Sequence, residues 1–177
     1  MNAGIETAIK KAKNIKVAIF DVDGVLTDGK IYFTSSGLEY KAFHSQDGLG
    51  IKMLLRAGIE IAIITARTSE LVQRRMDELG VRHVFQGQEN KIISYDILKN
   101  TLGVNDDQIA YVGDDLNDVA PIKRSGFGIA VANASPFVHQ HADWSTSRQG
   151  GSGAVREVCE FILNAQDLLA PLCEQYL

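Results

Sequence analysis

Two hydrophobic rhythms alternate along the chain. Short runs, KVAIF (16–20), IEIAII (59–64), VRHVF (81–85), IAYV (109–112) and GIAVA (128–132), are apolar and rich in β-branched residues. Continuous runs of this length suit strands buried on both faces of a parallel sheet. Between them lie DGLGIKMLLRAG, SELVQRRMDELG, ENKIISYDILKNTLG and DLNDVAPIKRSG. Their apolar residues recur every three to four positions, and each reaches a glycine at its end, as helix C-termini prefer. The alternation predicts an α/β domain with a doubly wound, mainly parallel sheet.

One segment departs from it. KIYFTSSGLEYKAFHSQ (30–46) holds two alternating runs around SSG, a β-hairpin signature, where a first helix would otherwise stand. The opening MNAGIETAIKKAKNIK reads as a short amphipathic helix or a frayed lead-in, and lacks the apolar core of a signal peptide. With no repeat, low-complexity tract or internal linker, residues 1–177 are expected to form one domain, with a hairpin flap at about 30–46 and a tail at about 167–177.

Composition narrows the function classes. At 177 residues, 45% hydrophobic and 23% charged, the chain is an ordinary globular one. A net charge of −4 gives no reason to expect nucleic acid. No apolar run approaches the roughly 20 residues of a membrane span, so no membrane partner is expected and the cytoplasm follows by default. Cys159 and Cys173 have neither CxxC nor metal spacing and read as reduced thiols.

Ligands of such sheets bind outside the carboxyl ends of the strands. That edge collects Asp21 and Asp23 from IFDVDGVLTDG, Thr65 after IEIAII, Lys91 at the start of a helix, and Asp114, Asp115 and Asp118 from GDDLND. Each has an ordinary alternative. Asp114 or Asp115 suits a helix N-cap, Thr65 suits a cap of the next helix, and Lys91 suits a solvated surface. Together, five aspartates at one edge would repel one another without a cation among them. A hard divalent ion such as Mg²⁺ answers that, binding few carboxylates along with phosphate oxygens. A threonine hydroxyl, a lysine ammonium and a glycine-containing loop would then hold the other phosphate oxygens. The pattern points to chemistry at phosphorus.

DVDGVLTDG, a Thr after the next strand, a later Lys and GDDLND resemble, in order, the four motifs of the haloacid dehalogenase (HAD) superfamily. The resemblance implies that Asp21 is a nucleophile forming an aspartyl-phosphate and Asp23 a general acid and base. It implies that Thr65 and Lys91 hold phosphate. Asp21, Asp114 and the backbone carbonyl of Asp23 would bind Mg²⁺, with Asp115 and Asp118 in support. Members that displace halide usually lack the second aspartate, so Asp23 favours ester hydrolysis; a sugar phosphomutase uses the same pair.

Only 44 positions separate Asp21 from Thr65 and 26 separate Thr65 from Lys91, too few for a cap domain. A second subunit mated through the hairpin is the simplest source of the missing wall. Within the superfamily, DGVLTDG, HSQDGLGIKML, ITAR, LGVRHVFQGQENK, YVGDDLND and GGSGAVREVCEFILNAQ resemble the 3-deoxy-D-manno-octulosonate 8-phosphate (KDO 8-phosphate) phosphatases over residues 15–166. These are capless Mg²⁺-dependent homotetramers of lipopolysaccharide precursor synthesis. The resemblance places substrate contacts on Asp23, His44, Ser45, Gln46, Asp47, Gly48, Lys52, Arg67, Arg75 and Lys91. An arginine fork suits the sugar's carboxylate. For Lys52 and Arg75 a solvated helix face is the ordinary reading, and His44 and His83 read as structural groups rather than catalysts. Gln46 stands where relatives often have Arg, and Ala66 where they often have Gly. Two alternatives stay open: a phosphatase for another sugar acid, such as a sialic-acid-type 9-phosphate, and an inactive HAD-like binding scaffold.

Overall fold

The computed structural model describes residues 3–177. Helix α1 (Ala3–Ala12) leads into β1 (Val17–Phe20), followed by the short strands β2 (Tyr32–Phe33) and β3 (Glu39–Tyr40). Then come α2 (Ser45–Arg56), β4 (Glu60–Ile64), α3 (Glu70–Leu79), β5 (His83–Phe85) and α4 (Lys91–Leu102). The second half comprises β6 (Ile109–Gly113), α5 (Val119–Arg124), β7 (Phe127–Ala130), the single turn α6 (Pro136–His139), β8 (Trp144–Ser145), α7 (Ala154–Ala165) and α8 (Leu169–Glu174).

Six strands form one parallel sheet in the order β5-β4-β1-β6-β7-β8, and β2 pairs with β3 as a separate antiparallel hairpin. All four residues of β1 are buried, so both faces of the sheet are covered. Helices α1 and α2 both pack on α7, and α4 packs on α5. Buried residues of the helices and the sheet make one continuous hydrophobic cluster. The doubly wound α/β expectation is met, hairpin included.

The connections fix where a site forms. From β1 the chain runs outward through β4 to β5, and from β6 it runs the other way through β7 to β8. The winding reverses between β1 and β6, leaving a crevice at their carboxyl ends. Asp21 follows β1, Asp114 follows β6, and Asp21 N–H donates to Val112 C=O at 3.1 Å, locking the two strand ends together.

Several boundaries differ from expectation. The run 81–85 contributes only His83–Phe85, because Val81 N–H still closes the end of α3 on Met76 C=O. The helix expected over 115–126 opens as a 3-10 turn, Leu116–Asp118, before α5 begins. Strand β8 was not expected; two residues carry no periodicity. Helix α1 lies within the predicted 1–16 lead-in, whose first two residues fall outside the described ones. Among the described residues no helix is long and apolar enough to cross a membrane.

Candidate active site

At the crevice, a cavity of about 260 Å³ is lined by Asp21, Asp23, Gly29, Thr65, Ala66, Arg67, Asp114, Asp115 and Asn117. Thr65 is buried and pinned on both sides of its backbone. Its N–H donates to Phe85 C=O and its C=O accepts from Gln88 N–H, both at 2.9 Å. Helix α3 starts later, after Ser69, so Thr65 does not cap it.

Asp118 anchors the acidic cluster from beneath. Its Oδ1 accepts from Lys91 Nζ at 2.6 Å and Tyr111 Oη at 2.8 Å. Its Oδ2 accepts from the backbone N–H groups of Asp114 and Asp115 at 3.1 and 3.3 Å. Gly113 makes room for this, since a Cβ there would stand 2.3 Å from Asp118 Cβ. Asp115 turns outward to cap the 3-10 turn, accepting from Leu116 N–H at 2.8 Å, so the N-cap reading holds for it.

Lys91 is buried in the middle. Its ammonium is 3.0 Å from Asp21 Oδ1 and 2.6 Å from Asp118 Oδ1. Burial opposes its charge, but Asp21 and then Asp118 outweigh that and raise its pKa above the ordinary lysine value. One cation does not balance three carboxylates. Burial first, then the charge of Asp118, pushes Asp21 up to about 7 against the pull of Lys91. Burial, Asp118 and Asp21 push Asp114 to about 8.

Asp21, Asp114 and Asp118 offer oxygens within 4.8 Å of one another. Asp118 already accepts four hydrogen bonds. Asp21 Oδ1 and Asp114 Oδ1 are buried without a hydrogen-bond partner, and Asp21 Oδ1 is held by its ion pair with Lys91. The donor set left free is hard, anionic and oxygen-only, and it fits Mg²⁺ better than a softer metal.

Asp23 stands apart from this cluster. Its Oδ1 accepts from Lys41, and Arg67 Nε lies 3.7 Å from its Oδ2. Arg67 also donates to Glu39 at 2.8 Å. Lys41 and Glu39 escaped the sequence reading, because a Lys and a Glu on a hairpin look like solvated charges. Asn117 and Gly24 escaped it too. Gly24 has φ +95°, and a Cβ on it would stand 2.0 Å from Asp114 Oδ2.

The remaining predicted contacts are scattered. Arg75 lines a second cavity, of about 230 Å³, with Lys41, Phe43, Leu71, Arg74 and Glu78. It lies across the bare backbone of Gly48, where a Cβ would meet its Nη2 at 2.3 Å, and its Nε has no partner. Asp47 is directed elsewhere: it is buried and accepts from Arg156 N–H at 2.7 Å. It thus serves the start of α7, whose own cap, Gly153, has no side chain. His44 caps the backbone start of α2, with its Nδ1 buried and unpartnered. Ser45, Gln46 and Lys52 are exposed on α2. His83 lies 4.0 Å from Glu60, away from the cavity.

An aspartate at the end of the central strand, a second two residues on, and a buried lysine bridging to an acidic loop are the arrangement of the haloacid dehalogenase-like hydrolases. The profile of that family matches residues 83–158. The chain is 48% identical over 161 residues to 3-deoxy-D-manno-octulosonate 8-phosphate phosphatase KdsC of Escherichia coli strain K12, covering 91% of this chain and 86% of that protein. The crystal structure of the Moraxella catarrhalis phosphatase of that name, in complex with magnesium ion, phosphate ion and KDO, has a TM-score of 0.94 at 45% identity, covering 96% of this chain and 98% of that one. A cobalt-bound form of the Haemophilus influenzae phosphatase has a TM-score of 0.87 at 41% identity, covering 90% and 94%. This chain belongs to the KDO 8-phosphate phosphatase family of HAD-like hydrolases.

Proposed function

We propose that this chain is a Mg²⁺-dependent phosphomonoesterase that hydrolyses KDO 8-phosphate to KDO and phosphate. The observation that carries the reading is the pair of buried carboxylate oxygens without a hydrogen-bond partner, on Asp21 and Asp114, two residues that line one cavity with Thr65. Family membership supports the choice of sugar.

Asp21 attacks phosphorus and becomes an aspartyl-phosphate. Asp23 gives a proton to the departing sugar oxygen, then takes one from the water that releases phosphate. Thr65 and the Lys91 ammonium hold phosphate oxygens. Asp21, Asp114 and the carbonyl of Asp23 would hold the metal, with Asp115 and Asp118 orienting the loop. Mg²⁺ would neutralise the charge gathered between carboxylates and phosphate. Arg67, Arg75, Lys52 and the 44–48 segment form the sugar-acid side of the site, with Asp47 bracing that segment on the start of α7 rather than touching the sugar.

The acting unit is residues 1–177 as one domain, working in the cytoplasm in lipopolysaccharide precursor synthesis. It assembles as a homotetramer through the hairpin, where Ile31, Phe33, Leu38 and Tyr40 are exposed.

The test is phosphate release from KDO 8-phosphate, a sialic-acid-type 9-phosphate and glucose 6-phosphate, with Mg²⁺ and after chelation. KDO 8-phosphate should lead, and chelation should abolish release. Full activity in excess chelator, or preference for another sugar, would overturn the reading.

A further inference from the structure

One buried charge near the cavity has no role in the scheme above. Lys41 leaves β3 with its side chain only 2% exposed, and an ammonium so enclosed is costly unless paired. It meets Asp23 Oδ1 and, at 3.5 Å, Glu39 Oε1. Arg67 closes the ring, 2.8 Å from Glu39 Oε1 and 3.7 Å from Asp23 Oδ2. Each oxygen of Asp23 therefore faces its own cation.

Strand alternation explains how the hairpin delivers this. Glu39 and Lys41 are two residues apart and share a face, turned toward Asp23. Leu38 and Tyr40 take the opposite face and are exposed. Tyr40 stacks on Tyr32 across the hairpin with ring centroids 5.0 Å apart, fixing the backbone just ahead of Lys41.

We propose that Lys41 is a positioning residue of the hydrolytic reaction, holding the Asp23 carboxyl in place and stabilising its anion once its proton is given up. The inference rests on the acid–base reading of Asp23. As the bond between phosphorus and the sugar oxygen breaks, that oxygen keeps the electron pair and takes the proton of Asp23. The negative charge then appears on Asp23, where Lys41 and Arg67 already point. Fixed charges aimed at developing charge lower a barrier without reorganisation.

The experiment measures kcat/KM with Mg²⁺ for wild type, Lys41→Met, Asp23→Asn and the double variant. One substrate is KDO 8-phosphate, whose alkoxide needs a proton; the other is 2,4-dinitrophenyl phosphate, whose leaving group does not. Because kcat/KM reports steps only through leaving-group departure, later hydrolysis does not blur the contrast. Lys41→Met should lose about 10- to 100-fold on KDO 8-phosphate and less than about 3-fold on the aryl ester. In the Asp23→Asn background it should add less than about 2-fold, as groups acting through one another do. Lys41→Gln, with its melting temperature checked, repeats the comparison if the Met variant folds poorly. Equal losses on both substrates, or a full extra loss beside Asp23→Asn, would make Lys41 a mere prop of the fold. A wild type that hydrolyses neither substrate would instead sink the phosphatase reading and the inference with it.

Discussion

Replacing Gly24 by alanine should separate the architecture of the metal site from stability. Two effects add. At φ +95° a side chain is strained, by about 1–2 kcal/mol. The new methyl would also stand 2.0 Å from Asp114 Oδ2 and 2.5 Å from its Cγ. Gly24 itself is confined: a Cβ on Gly150 would already be 1.7 Å from Gly24 C=O, and one on Gly29 would be 3.3 Å from Gly24 Cα. The carboxylate of Asp114 must therefore retreat, by about 1 Å or more to regain an ordinary contact. Mg²⁺ demands ligands at about 2.0–2.1 Å in near-ideal geometry, and a 1 Å misplacement at a reacting centre costs about 10²-fold, or about 2.7 kcal/mol. Gly58→Ala is the control, because its φ of +81° carries the same strain with no heavy atom within 4 Å. Both variants should melt about 2–8 °C lower, given about 2–4 °C per kcal/mol at this size. Only Gly24→Ala should lose about 100-fold in turnover and need far more Mg²⁺ in a titration of activity. A Gly24→Ala enzyme with the Mg²⁺ dependence of Gly58→Ala would refute the placement of Asp114 at the metal.

Asp21→Asn should abolish phosphate release without lowering the melting temperature of the metal-free protein, since it removes one of three clustered carboxylates while Asp118 still pairs with Lys91 at 2.6 Å; substantial turnover by the purified variant would exclude Asp21 as nucleophile. Folded-state values of about 7 for Asp21 and about 8 for Asp114, above 3.8 in the unfolded chain, mean that the metal-free folded protein binds more protons between pH 6 and 8. Its stability should then fall as pH rises, with Mg²⁺ reversing the trend; a metal-free melting temperature that climbs over that window would contradict the site's electrostatics. Arg75→Ala should lower efficiency on KDO 8-phosphate about 10- to 150-fold, the worth of a charged hydrogen bond of about 1.5–3 kcal/mol, while sparing p-nitrophenyl phosphate; equal losses would place Arg75 on the phosphate or in the fold.

What sequence made legible follows from range. The strands β1, β4 and β6 and the residues just beyond them were readable because continuous apolar runs end abruptly in Asp or Thr. The topological rule then gathers Asp21, Thr65 and Asp114 without any further information. Lys91 was readable by resemblance, yet its burial between Asp21 and Asp118 was not, since nothing local marks a lysine as enclosed. The ring of Asp23, Glu39, Lys41 and Arg67 joins three segments through side chains alone, and no periodicity encodes it. Asp47 shows the converse: an acidic residue within a recognisable motif spends its hydrogen-bonding capacity on the N-terminus of α7, 109 positions away. Strand β8 is fixed by pairing with β7 and by Trp144 stacking on Phe161 at 4.3 Å, both long-range effects.

The hairpin is where these threads meet. A two-stranded ribbon with two residues in each strand is barely stable by itself, and it packs no hydrophobic face of its own into the core. The face of Glu39 and Lys41 holds Asp23; the opposite face carries Leu38 and Tyr40, each more than half exposed. An apolar surface of that kind on a marginal element is stabilised when another copy covers it. Covering the outer face would rigidify the ribbon, and the same backbone carries Glu39 and Lys41 toward Asp23. In the proposed tetramer, then, assembly and proton transfer share one structural element, and a charge introduced on the outer face, Leu38→Glu, should disturb the acid–base step by way of the subunit contact rather than by touching the cavity.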